Sequence, residues 1–136
     1  MRFLILLFLA LSLEAETVSF DRLQLDRKPI SIPPAFPRAI LPESLEFILS
    51  LDLKSGFYNS KEAYLRLVSP NDTKSIIDNL EKRLQFGDWK ILEKNEKQGE
   101  VNLLLEGFLK KYIFIKIIDQ GNQRMVVYFF KKGSSL

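Results

Sequence analysis

The chain has 136 residues, 46% of them hydrophobic, and carries 20 Lys and Arg against 17 Asp and Glu. That length supports one domain with a modest core rather than two. The absence of histidine and cysteine removes disulfides, thiol chemistry, lipid attachment at a cysteine and most catalytic constellations; no cofactor is expected, and a net charge of +3 is too small to imply nucleic acid.

The chain opens with Met1-Arg2, an unbroken apolar run over 3–11, and Ser12-Leu13-Glu14-Ala15. A positive start, a short apolar stretch and a small residue at the cut are the marks of a signal peptide over 1–15, cleaved near Ala15. The run is short for a permanent helical anchor, but Leu13 fits the small-residue rule at the cut poorly, so an uncleaved anchor is the alternative to cleavage. Removing residues 1–15 takes away Arg2 and Glu14, so the exported protein, periplasmic or secreted, keeps its net charge of +3.

Residues 16–42 read as an extended, proline-rich arm. Val18, Phe20, Leu23 and Leu25 alternate loosely, as in a short edge strand or an ordered arm. Pro29, Pro33, Pro34, Pro37 and Pro42 then favour a polyproline-like path with Phe36, Ile40 and Leu41 as apolar anchors.

A single α+β domain is expected over 43–136. Leu45, Phe47, Leu49, Leu51 and Leu53 recur at period two and predict a strand that buries its leucines on one face. A turn at Lys54-Ser55-Gly56 and a second alternating run over 63–68 complete a hairpin. A helix is predicted over 69–89. Ser69 and Asp72 act as cap and capping box, Pro70 takes the first position, Ile76, Ile77, Leu80 and Leu84 share one face, and Gly87 forms a left-handed cap. Asn71-Asp72-Thr73 also matches a glycosylation acceptor, but capping accounts for the same residues. Trp89 reads as filling between helix and sheet.

Strands over 89–93, 101–106, 112–118 and 125–130 follow, joined by connections short enough to force antiparallel pairing. The fold class is therefore α+β: a mainly antiparallel sheet of about six strands, ordered β-β-α-β-β-β-β, with the helix on one face.

Phe36-Pro37-Arg38-Ala39, the hairpin, the capped helix ending in Gly87-Asp88-Trp89 and the meander together resemble small exported bacterial domains. In these an aromatic-Pro-Gly-Ala segment precedes a helix ending in Gly-Trp. Arg38 stands where that pattern has Gly, and Asp88 is inserted between Gly and Trp. The resemblance implies export and this fold, and adds no catalytic residue.

The last two strands are apolar on both faces, and one helix covers only one. Tyr112, Phe114, Ile118, Val126, Tyr128 and Phe130 are the residues assigned to a binding or assembly face, to be covered by residues 16–42, a second subunit or a ligand. Pairing Ile118 with Gln123 would set Lys131 opposite Lys110 and Lys132 beside Lys111, gathering four lysines at one sheet end. They would either make a weak contact with an anionic membrane surface or simply keep a strand end soluble. The expected function is a non-enzymatic exported cell-envelope module, binding an envelope protein or itself. The alternatives are a carrier of a hydrophobic small molecule or lipid, and a carboxylate-dependent hydrolase, which needs two acids converging with one of them buried.

Overall fold

The computed structural model describes residues 16–19, 22–28, 32–42, 46–55 and 59–133. The segment 1–15 read as a signal peptide, Pro29 and the turn expected at Gly56 lie outside them.

Two paired strands lie within the arm, β1 (Glu16–Ser19) and β2 (Leu23–Arg27), and β2 continues onto β3 (Glu46–Ser55). Among the described residues the sheet thus has eight strands rather than about six. β4 (Asn59–Ser69) returns along β3, α1 (Thr73–Leu84) follows, and β5 (Lys90–Lys97), β6 (Glu100–Gly107), β7 (Lys111–Asp119) and β8 (Arg124–Lys132) form the meander. The spatial order β1-β2-β3-β4-β8-β7-β6-β5 sets the last strand of the meander against the last strand of the hairpin, all antiparallel.

The helix is shorter than its sequence signals imply. Ser69 is still a strand residue opposite Arg124, and its Oγ accepts the Asn71 N–H at 3.2 Å. Asp72 is the N-cap, accepting the Ser75 N–H at 2.8 Å and the Ser75 hydroxyl at 2.8 Å. At the other end Gln85 closes the helix, and positive φ among the described glycines occurs at Gly99 and Gly121, not Gly87.

Ile76, Ile77 and Leu80 are buried, and Leu84 and Trp89 pack at the margin of the same core. They cover the sheet face carrying Leu65, Leu67, Leu103, Leu105, Ile115 and Ile117. Residues 32–42 complete this cover rather than running extended across the domain. Hydrogen bonds from Phe36 N to Pro33 O (3.1 Å) and Leu41 N to Arg38 O (3.2 Å) coil the segment through a 3-10 turn at Arg38–Ile40. Phe36, Ile40 and Leu41 are buried, and the Phe36 ring stands edge-on to both Tyr128 and Phe130 with centroids 6.2 Å away in each case. Tyr128 Oη donates to the Ile40 carbonyl at 3.2 Å, and Arg83 Nη1 donates to the Leu41 carbonyl.

One irregularity re-aims β3. A bulge between Phe47 and Leu49 leaves Phe47 opposite Leu67 on the core side and Leu49 opposite Arg66 on the other. The leucines of β3 therefore turn away from the helix, against expectation, and Ser50 and Asp52 take the buried positions.

Candidate functional site

The face of the sheet away from α1 holds a row of apolar side chains that crosses seven strands. Cross-strand partners share a face, and the register links Val18 to Leu25, Leu25 to Leu51, Leu51 to Tyr64, Tyr64 to Phe129, Phe129 to Phe114 and Phe114 to Leu104. Phe114 and Phe129, at its middle, are each 38% exposed. No residue of this row belongs to the buried core, and among the described residues neither α1 nor 32–42 lies over it. Residues 16–28 extend the sheet instead of covering it.

Of the six residues assigned to this face by sequence, Tyr112, Phe114 and Ile118 are on it. Val126, Tyr128 and Phe130 are not. They lie opposite Ile117, Ile115 and Ile113, under the helix and the 32–42 segment, and are buried. Their places on the open face are taken by Met125, Val127 and Phe129, opposite Ile118, Lys116 and Phe114. The row's extension through Leu25, Leu51 and Tyr64 was hidden in the sequence, because it depends on β1, β2 and the β3 bulge.

Charged rows flank the apolar one. On one side Glu62, Lys131, Tyr112, Glu106 and Lys90 follow one another from β4 to β5, and on the other Arg66, Val127, Lys116 and Asn102. Lys90 lies 3.0 Å from Glu106, Lys116 3.0 Å from Glu100, and Lys131 3.9 Å from Glu62. The hydrogen bond from Lys90 holds the Glu106 carboxyl below the usual range, helped by the charge of Lys90, the Tyr112 hydroxyl and the charge of Lys110. Glu100 is held low first by the Asn102 amide and then by Lys116. The Arg66 Nε is buried with no hydrogen-bond partner.

The four lysines do gather at one end of the sheet, in a different register. Ile118 pairs with Met125, two residues beyond Gln123, because a four-residue loop is closed by Gln120 N to Gln123 O (3.0 Å) and by an Asp119–Arg124 ion pair at 3.2 Å. Lys132 then lies opposite Lys111 and Lys131 opposite Tyr112, while the Lys110 carbonyl accepts the Gly133 N–H at 2.8 Å.

On the helix side of β2 and β3 sits a polar patch. Gln24 lies opposite Asp52 and Asp26 opposite Ser50, and Gln24 Nε2 donates to Asp26 Oδ2 at 2.8 Å. The Asp52 Oδ1 is buried without a partner. Two acids thus share one face of adjacent strands, but no group of three His, Cys, Asp or Glu able to hold a metal occurs among the described residues. Nor is any helix among them long and apolar enough to cross a membrane.

No protein-family model and no curated protein matches the chain. Among solved structures it is similar to the Ran-binding protein Mog1p of Saccharomyces cerevisiae, at 12% identity and a TM-score of 0.44, covering 89% of this chain and 78% of that one. That likeness assigns nothing to this chain.

Proposed function

We propose that this chain is an exported, non-enzymatic module of the cell envelope that binds or assembles through the open face of its sheet, with a second copy as the first partner. The observation that carries the reading is the apolar row from Leu25 through Tyr64, Phe129 and Phe114 to Leu104, which a lone monomer would leave in water. Export is supported by the signal-like pattern of residues 1–15, and the non-enzymatic reading by the absence of histidine and cysteine.

A second copy suits the charge pattern. Stacking two such faces about a two-fold axis along the row superposes the rows and brings each flanking row over the opposite one. Arg66 of one copy then stands over Glu62 of the other, and Asn102 over Glu106, with no like charges opposed along β4, β6, β7 or β8.

Light scattering on residues 16–136 tests this. The expected result is a dimer, converted to monomer by Phe114→Ser with Phe129→Ser. A monomer at every concentration overturns self-assembly. The lipid-carrier reading has one observation of its own, two open hollows on this face. One, of about 180 Å³, is lined mainly by apolar groups, Leu23, Leu51, Leu53, Ala63, Tyr64 and Phe129, with Glu62 at its edge; the other, of about 340 Å³, is more polar, lined by Glu93, Asn95 and Asn102 beside Leu103, Leu104 and Phe114. A monomer that co-purifies with extractable lipid would favour that reading.

A further inference from the structure

We infer that the tip joining β6 to β7, together with Phe86 after the helix, is a docking surface for an anionic lipid bilayer. The backbone gives the first sign. Leu109 and Lys110 hold consecutive positive φ values of 60° and 51°, a conformation that glycine or asparagine adopts cheaply and that strains residues such as leucine and lysine. The strain lifts Phe108 and Leu109 into solvent, 71% and 66% exposed. Turn positions normally filled by small polar residues here hold two large apolar ones.

A third apolar side chain joins them. Phe86 is 91% exposed and stands three residues before Trp89, whose ring packs so closely on Gly107 that a Cβ there would lie 2.7 Å from it. The Trp89–Gly107 contact therefore holds the Phe86 and Phe108 segments at the same end of the molecule.

The charge at this end is positive. Lys110 is in the tip, Lys111 and Lys132 face each other at its base, and Lys131 is one position further in. Lys110, Lys111 and Lys132 make no ion pair with any described residue. The acids nearby are Glu106, engaged by Lys90, Glu62, 3.9 Å from Lys131, and the exposed Asp88.

Aromatic and aliphatic side chains projecting from a basic surface suit the boundary between headgroups and acyl chains, where the apolar groups insert and the ammonium groups meet lipid phosphates. A free phosphate would give Phe86, Phe108 and Leu109 nothing to do. Three apolar side chains are also few against the roughly 20–30 residues that each side of a stable protein interface contributes. This surface shares no apolar residue with the open sheet face, so the two readings stand or fall separately.

Trp89 is the only tryptophan in the chain and sits at the base of the tip, so its fluorescence reports docking there and not contacts made by residues 1–15. The full chain is mixed with vesicles of phosphatidylcholine, alone or with phosphatidylglycerol, whose acyl chains carry bromine as a quencher. The expected result is quenching of Trp89 by the phosphatidylglycerol vesicles and little by phosphatidylcholine alone. Lys111→Gln with Lys132→Gln should weaken vesicle affinity by roughly 30-fold, and Phe108→Ser with Leu109→Ser should abolish quenching. Leu109→Gly, which relaxes the backbone, should raise thermal stability and still weaken docking. Vesicle binding without Trp89 quenching, equal quenching by the neutral vesicles, or quenching that survives Phe108→Ser with Leu109→Ser overturns the inference.

Discussion

Asp72 carries the start of the only α-helix among the described residues, and its chemistry gives a measurable pH dependence. Hydrogen bonds from the Ser75 backbone and hydroxyl hold its carboxyl below the ordinary 3.8, with the charge of Arg124 a smaller influence. Because the folded value is depressed, the stabilisation is complete above 3.8 and fades as pH falls through the folded value. Asp72→Ala is expected to lower the melting temperature by a few degrees at neutral pH, and the difference from wild type should shrink in melts taken at pH values well below 3.8. An unchanged difference would mean that the cap does not act through its charge. Both Ser69 and Asp72 were legible as caps. The choice between them was not, since Ser69 is held by its pairing with Arg124. Tyr128 was legible as a sheet residue but was placed on the wrong face. Its phenol is fully buried, which raises its pKa, and donates to Ile40.

At the scale of elements, period-two alternation located six strands, and their observed extents contain or nearly contain the predicted ones. Alternation states that two faces differ without stating which one meets the helix. In β3 a single bulge at Ile48 sends Leu49, Leu51 and Leu53 to the open face, which no count of leucines foretells. In β7 and β8 the length of one loop sets which residues oppose each other. The close contact between Trp89, just before β5, and Gly107 at the end of β6 yields another test. Gly107→Ala would drive a methyl into the Trp89 ring at 2.7–2.8 Å, so a loss of about 1–3 kcal/mol in urea unfolding is expected, with a shift in Trp89 emission. Full stability with unchanged emission would mean that the ring can swing aside freely.

Across the whole molecule, residues 32–42 act as a clasp, seated on the helix side by Phe36 and tied to β8 and the helix through the Ile40 and Leu41 carbonyls. Phe36→Ala should cost about 3–5 kcal/mol, as expected for a buried phenylalanine, while Tyr128→Phe, which removes one hydrogen bond to a buried carbonyl, should cost about 1 kcal/mol. Denaturant unfolding measures both. A Phe36→Ala loss below about 1 kcal/mol would mean that the clasp is not part of the cooperative core. The prolines and apolar anchors of this segment predict an extended, polyproline-like path; its three anchors are buried, but the path coils through a 3-10 turn. Which side of the sheet it would cover depended on contacts 88 residues apart in the chain.

What the sequence by itself determined about this protein is local: the existence of a capped amphipathic helix, the alternating strands, their antiparallel hairpins and the clustering of lysines at one strand end. Each depends on residues a few positions apart, where periodicity and turn chemistry act directly. Tertiary structure alone decided the pairing of β4 with β8, the recruitment of residues 16–28 as two further strands, the face each side chain takes and the seat of the 32–42 segment. These follow from burying the most apolar face under one short helix, a choice made between distant segments and only after a bulge and a loop length have set the register.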